Sequence, residues 1–580
     1  PSLIPRNALT QGALAGGCFA IGYGLGVFLR WLWRYLELPE LAPRTRLIAT
    51  IVTAVLCVAI AVLFLWWAAD WQNSIRMAFG MEPVESARPY TLLGVSIATF
   101  LALYLLAYMF KLLALGVFRY SQRYIPVKVA KVVAITVAAL LFWSIASQVF
   151  FRAAFAALEF SFRQYDALLE PTRKQPTDAG KTGSPASLVN WRELGRAGRE
   201  FVASGPHAQQ ISTLSGRPAM EPIRVYVGLQ GGRTAQERAK LALGELKRQG
   251  GFSRSVLIVI MPTGSGWIDP AAINSVEYLH EGDIASVAIQ YSYLSSPLSL
   301  LVQPEYGAEA GRALFAEIYR YWTAMPKDKR PRLYVHGLSL GALNSARSFD
   351  LFDIIGDPIA GAVWSGPPFA SRVWRSITDG RNDGSPMWLP EFRDSRFVRF
   401  MNQNGSPAPA DSPWGPMRVV YLQYASDAIT FFDPRDAFRR PAWMDAPIGP
   451  DVSPKLRWFP IVTMLQLAVD MPMAMQAPPG YGHVFAPEHY VDAWVTATDV
   501  RTWTPESLAK LKRFLGEEAR RAIRTTEAGR SSTANRSILA GWLRSFADLD
   551  PYRRRGIAFE ILGVQSGLAE GGEQDSRHGD

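Results

Sequence analysis

Cysteine is almost absent from this 580-residue chain, with two residues, Cys18 and Cys57, both inside long apolar runs. That excludes a disulfide framework for the polar remainder. Histidine is scarce too, at six, and no His, Cys, Asp or Glu cluster has metal-ligand spacing. The one glycine-rich turn that follows an apolar strand pattern, 262–267, fits neither a P-loop nor a dinucleotide fingerprint. No cofactor and no metal are therefore expected. The net charge of +11 raises nucleic acid as a partner, but its location argues against one. Residues 1–165 carry 14 Lys/Arg against 6 Asp/Glu, so most of the excess lies in an apolar region.

That region is where the chain is rich. Four apolar runs, 11–29, 47–67, 91–110 and 129–151, each approach the roughly 20 residues that cross a bilayer core. Trp31, Trp33, Trp66, Trp67, Trp71 and Tyr90 stand near their ends, as an interfacial aromatic belt does. No charge sits centrally in a run, which disfavours a transporter. Two loops concentrate the basic residues. One holds Arg30, Arg34, Arg44 and Arg46, the other Lys111, Arg119, Arg123, Lys128 and Lys131. The positive-inside rule makes both cytoplasmic. Residue 1 and everything after about 152 are then extracytoplasmic, which in a Gram-negative cell is the periplasm. A start on the outer side, at Pro1 rather than Met, suggests that a further segment precedes this sequence. The expected partner of this region is a lipid bilayer.

The expected organisation is a transmembrane helical domain over 1–165 and a linker with an amphipathic helix over 166–222. An α/β domain follows over 223–530, and then a C-terminal helical segment with a disordered tail over 531–580. The helix at 191–203 repeats Arg192, Arg196 and Arg199 at helical spacing. Two readings fit it, a membrane-surface helix and a solvated face packed on the next domain. From residue 223, strand patterns alternate with amphipathic helices. They end in strands at 332–336, 359–364 and 417–423, which implies a mostly parallel sheet with helices on both faces. The Trp-, Pro- and Asp-rich stretch 372–416 interrupts the alternation and reads as a lid insertion. The apolar, methionine-rich stretch 460–476 reads as a packed helix or as a flap facing lipid or substrate.

Within this pattern, Gly337-Leu338-Ser339-Leu340-Gly341 lies between a strand and a helix. Gly-x-Ser-x-Gly in that setting is the nucleophile elbow of an α/β-hydrolase. Gly337 and Gly341 leave room for a turn too tight for Cβ atoms. An activated serine needs a base and an acid that orients it, in the chain order Ser, Asp or Glu, His. After Ser339 the histidines are His483, His489 and His578. His578 is in the tail. His483 sits in a glycine-rich loop, Gly480-Tyr481-Gly482-His483, and is the expected base. His489 stands at or near a helix start, where a solvent-exposed or capping role explains it. Asp427 follows the 417–423 strand and is the expected acid, ahead of Asp433 and Asp436 further into the loop. His207, His280 and His336 read as packed histidines. One oxyanion donor is expected from the N–H of Leu340. The other is expected from Thr263 or Gly264, on the turn after the Ser-Val-Leu-Ile-Val-Ile-Met strand at 255–261.

The chain resembles a group of bacterial membrane proteins, frequent in actinobacteria, that fuse a multi-span N-terminal region to an α/β-hydrolase domain. The resemblance rests on Pro262-Thr263-Gly264-Ser265-Gly266-Trp267, Glu277-Tyr278-Leu279-His280 and Gln290-Tyr291-Ser292-Tyr293-Leu294. It also rests on the elbow, Ser426-Asp427, Gly482-His483 and Val491-Asp492-Ala493-Trp494. Ala428 stands where the group has Pro, and Tyr481 where it has His. The resemblance implies a serine hydrolase without naming its substrate. The expected activity is cleavage of an ester or thioester of a lipidic substrate by Ser339, His483 and Asp427. Acyl transfer through the same acyl-enzyme and a non-catalytic membrane scaffold are the alternatives.

Overall fold

The computed structural model describes residues 1–40, 42–144, 152–169, 173–409 and 412–533. One unit spans Pro1–Gly516. The second, Glu517–Asp580, is described to residue 533 as the end of the Pro505–Thr533 helix. The expected C-terminal tail lies outside the described residues.

Four helices open the chain: α1 (Ala8–Tyr35), α2 (Pro43–Ala78), α3 (Pro89–Ser121) and α4 (Val127–Ser144). All four are long and apolar enough to cross a membrane. The four expected runs fall within them, except that 145–151 lie outside the described residues. Their Leu, Val, Ile and Phe side chains are exposed on nearly every face. Such a surface is stable where hydrocarbon replaces water, because a helix satisfies its own backbone polar groups. α2 has 36 residues, which at the helical rise gives about 54 Å. That is more than the ~30 Å thickness of a bilayer core. α1 lies against α3 through two glycines one turn apart. A Cβ on Gly12 would stand 2.8 Å from the Leu92 carbonyl oxygen, and one on Gly16 2.3 Å from that of Ser96. Small residues four apart permit this approach.

The second half builds a seven-stranded sheet from β1 (Ile223–Val227), β2 (Val256–Met261), β3 (Ile284–Ile289), β4 (Arg332–Leu338), β5 (Gly361–Ser365), β6 (Val398–Met401) and β7 (Arg418–Leu422). The order is β1-β3-β2-β4-β5-β7-β6, with every pairing parallel. β2, with the sequence VLIVIM, is buried along its whole length, as a strand covered by helices on both faces must be. β1 is fastened to the Pro270–Leu279 helix by a buried bidentate pair. Arg224 Nε and Nη2 donate to the two Glu277 carboxylate oxygens at 2.7 and 2.6 Å.

Two expectations need revision or a decision. The 372–416 stretch, read as a lid, supplies β6, an edge strand paired to β7. Trp374 Nε1 donates to Gln423 Oε1 at 2.7 Å, and Gln423 Nε2 donates to the Trp388 carbonyl at 3.0 Å. The stretch is thus clamped to the end of the sheet. A four-residue strand set among Pro, Asp and Gly is too short for its alternation to register. The 191–203 segment is packed on the α/β half: Trp191, Leu194, Phe201 and Val202 are buried. Its Arg199 guanidinium donates to the Asp166 and Leu168 carbonyls at 3.1 and 2.7 Å.

Candidate active site

β4 runs into Ser339, and the Leu340–Ala346 helix begins immediately after it. Ser339 has φ 58° and ψ −124°, a region that a side-chain-bearing residue enters only when its surroundings force it. The forcing is visible in the two glycines. A Cβ on Gly337 would lie 2.3 Å from the Gly341 carbonyl, and one on Gly341 2.2 Å from the Met261 carbonyl. Ser339 N–H donates to the Ser365 carbonyl at 2.9 Å, which ties the elbow to β5. The serine is 7% exposed.

Asp427 ends the loop after β7 and caps the Ala428–Phe431 helix. Its Oδ1 accepts from the Ile429 N–H at 2.9 Å and its Oδ2 from Thr430 Oγ1 at 3.1 Å. The same Oδ2 lies 2.6 Å from His483 Nδ1 in a buried pair. A carboxylate that already accepts these bonds takes a proton donor from the ring. His483 therefore carries its hydrogen on Nδ1 and leaves Nε2 as an acceptor. Nε2 is buried, with no hydrogen-bond partner among the described residues.

Further residues hold this pair, and sequence reasoning did not single them out. Gly366, just after β5, has φ +47°, and a Cβ there would stand 2.6 Å from His483 Cε1. The imidazole therefore lies directly over a glycine whose neighbour, Ser365, accepts the Ser339 N–H. Ser426 joins the Asp427 loop to the His483 loop. Its Oγ donates to buried Asp451 Oδ2 at 2.5 Å and accepts the Gly482 N–H at 2.9 Å. Burial raises the Asp451 carboxyl above its ordinary range. Asp269 caps the Pro270–Leu279 helix. Burial pushes its carboxyl up to about 6, against hydrogen bonds from the Ala271 N–H and Tyr490 and the attraction of the His483 ring.

The 262–267 turn is closed on itself. Thr263 N–H and Oγ1–H both donate to the Trp267 carbonyl, at 3.0 and 3.1 Å. Gly264 N–H donates to Ser296 Oγ at 3.1 Å. Leu340, as the first helical residue, has an N–H with no intrahelical acceptor.

His578 lies outside the described residues, and the other histidines are accounted for structurally. His489 Nδ1 lies 2.6 Å from the Tyr424 hydroxyl, His336 Nδ1 lies 2.7 Å from the Val363 carbonyl, and His280 Nε2 lies 3.1 Å from Thr498 Oγ1. Burial lowers all three to about 4. His207, expected to be packed, is instead a surface residue beside Glu221, with 57% of its side chain exposed. It precedes a short helix, and a polar residue there caps backbone N–H groups rather than filling a core.

The alpha/beta-hydrolase family model matches residues 223–511, and the model of that family's N-terminus matches residues 1–206. The chain belongs to this α/β-hydrolase family. No curated protein and no solved structure matches it.

In this α/β-hydrolase the N-terminal region reaches the histidine loop itself. The Phe79 ring, at the end of α2, stacks on Tyr481 with centroids 4.9 Å apart and planes at 20°. Ile4 Cδ1 would lie 3.3 Å from a Cβ on Gly482. His483 N–H donates to the Ala474 carbonyl at 3.0 Å, which hangs the loop from the Val462–Ala474 helix. That helix carries Asp470, wholly buried, which accepts Arg6 Nε at 2.7 Å and the Leu3 N–H at 3.0 Å. The methionine-rich stretch is thus a helix docked on the N-terminal residues. Ser74 and Ser453 add a hydroxyl pair at 2.7 Å. Nothing in the sequence pairs residues more than 370 positions apart, so this junction was not foreseeable.

Proposed function

We propose that this chain is a membrane-anchored serine hydrolase that cleaves an ester or thioester bond, acting on a lipidic substrate at the extracytoplasmic face. The observation that carries the reading is the buried Asp427–His483 pair at 2.6 Å, with Nε2 unpartnered among the described residues and the ring over Gly366, whose neighbour Ser365 accepts the N–H of the strained Ser339. Ser339 Oγ attacks the acyl carbonyl as its proton passes to His483 Nε2. Asp427 holds the ring and balances the imidazolium. The Leu340 N–H stabilises the oxyanion. A second donor comes from the 263–264 turn when Gly264 exchanges Ser296 Oγ for the substrate oxygen. His483 returns the proton to the leaving alcohol or thiol. Water, deprotonated by the same nitrogen, then releases the acid.

The orientation rests on the basic loops. The N-terminal end of α1 and the C-terminal end of α2, which meet the α/β half through Arg6–Asp470, Ser74–Ser453 and Phe79–Tyr481, are those opposite Arg30–Arg46 in each helix. The near-complete burial of Ser339 favours acyl transfer as a second reading, since a site short of water passes its acyl group to a bound hydroxyl.

The test is turnover of short- and long-chain glycerol esters by the full chain in detergent, with and without alcohol acceptors. Free acid formed by wild type and absent from Ser339→Ala supports hydrolysis. Acylated acceptor in place of acid supports transfer. Undiminished turnover in Ser339→Ala removes the mechanism.

A further inference from the structure

A second feature stands at the same carboxyl edge of the sheet, away from the serine. An open cavity of about 710 Å³ lies past the ends of β1 and β3. Its walls include Gly231, Gly232 and Arg233 after β1, Tyr293 after β3, and Arg163 from the Arg152–Ala167 helix that follows the membrane spans. Its volume is in the ~300–1,000 Å³ range of small-molecule sites. In parallel α/β sheets, ligands bind at this edge.

The charges there are unevenly matched. Buried Arg238 donates to the Gly232 carbonyl at 2.9 Å, and its charge is answered by Glu309 and Glu237. The Glu237 carboxylate also lines the cavity and accepts the Arg233 N–H at 2.7 Å. The guanidinium groups of Arg163 and Arg233 make no ion pair among the described residues; Arg163 rests over the Tyr293 ring at 5.9 Å. Two guanidiniums on one cavity, against the single Glu237 carboxylate in its wall, leave a net positive lining that suits a phosphate or carboxylate.

The cavity is joined to the reaction site. Gln290 Oε1 accepts the Leu229 N–H at 3.2 Å, and its Nε2 donates to the Ser265 carbonyl at 3.3 Å. One side chain therefore bridges the cavity wall and the 262–267 turn. The strand order puts β1 and β3 three and two strands from β4, so the cavity lies about 10–15 Å from Ser339.

We infer that this cavity binds an anionic group of the substrate, so that the preferred ester carries a phosphate or carboxylate about 10–15 Å from the scissile carbonyl. The inference rests on the proposed ester hydrolysis and narrows its substrate to an acidic lipid or a similarly charged ester. The Arg152–Ala167 helix places one of the two arginines on the segment leading out of the membrane, where a head group is presented.

The test has a binding arm and a turnover arm. In the first, the full chain in neutral detergent is titrated with a short-chain ether-linked lipid bearing a phosphoglycerol head group, and with its uncharged diether-glycerol counterpart. Neither can be hydrolysed. The anionic ligand is expected to bind about tenfold tighter, and Arg163→Gln and Arg233→Gln each to remove most of that difference. Equal affinity in wild type, or a preference that survives both substitutions, overturns the inference whatever the enzyme does to esters. In the second arm, the corresponding diesters are compared by the ratio of kcat/KM for anionic over neutral substrate. That ratio is expected to fall about tenfold in either variant. Inorganic phosphate distinguishes the sources: competition by millimolar phosphate assigns the site to the free ion as well, and its absence assigns it to the tethered head group. Tight anionic binding without turnover of either diester would leave the cavity standing and remove the hydrolase reading instead.

Discussion

Replacing Gly366 with alanine puts a methyl group under the imidazole of His483. The new Cβ would stand 2.6 Å from His483 Cε1, 2.9 Å from Nδ1 and 2.9 Å from the Phe485 ring. Carbon atoms in contact sit about 3.5–4.0 Å apart, so something must move by about 1 Å. The ring has little freedom to do so by itself. Its Nδ1 is held by Asp427 at 2.6 Å, and its backbone N–H by Ala474. The φ of +47° at Gly366 adds a second cost of about 1–2 kcal/mol for a residue with a Cβ. That cost falls on stability, whereas the displaced ring falls on chemistry. A misplacement of about 1 Å is worth about 10²-fold in rate. Gly366→Ala is therefore expected to lower kcat about 10²-fold with little change in KM, and to lower the melting temperature by a few degrees. Steady-state kinetics on a soluble ester, alongside thermal unfolding, reads both. A folded variant that turns over within threefold of wild type would refute the placement of His483 over this glycine.

Three other outcomes follow from the same geometry. Asp427→Asn should keep the fold and lower kcat by about 10⁴-fold, because the amide no longer enforces the Nδ1–H tautomer; circular dichroism with single-turnover kinetics checks both halves. Phe79→Ala removes the ring stacked on Tyr481 and should cost about 3 kcal/mol in stability. It should also lower kcat with KM unchanged, while Phe79→Tyr restores both. His336 is buried and held at about 4 against an ordinary 6.5, so the unfolded chain takes up its proton first as pH falls. Its contribution is intact above about pH 6.5 and is lost towards pH 4, by roughly 2 kcal/mol at pH 5. Urea midpoints at about pH 7.5 and about pH 5 should therefore diverge less in His336→Asn than in wild type.

Much of this architecture is legible in the chain because its signals are local. Four apolar runs and a strand–helix alternation survive in any window of 20 residues, and the elbow announces itself through two glycines and a serine. The Ser, Asp, His order narrows the search because histidine is so scarce. What escaped is non-local or unpatterned. Gly366 is one glycine among 47, and its role appears only when His483 arrives from a later loop. Ser426 supports the histidine loop through Asp451 and Gly482, a three-way contact that no spacing encodes. β6 is four residues long and gains its strand character from pairing with β7 rather than from its own sequence. Ile4 and Phe79 meet the histidine loop, and Leu3 and Arg6 meet the helix it hangs from, so this junction joins segments far apart in the chain. It gives the N-terminal region a part in holding the loop. The turn after β2 is visible in the sequence, but the engagement of its Thr263 and Gly264 N–H groups with Trp267 and Ser296 is a tertiary fact.

The most direct test of the central claim is covalent labelling of Ser339. Full-length protein in detergent is treated with a fluorophosphonate and the adduct located by peptide mass spectrometry. A single adduct on Ser339, absent from Ser339→Ala and formed far more slowly by His483→Ala, is the predicted result. A folded wild-type protein that takes no label, or one labelled equally in Ser339→Ala, would contradict the account.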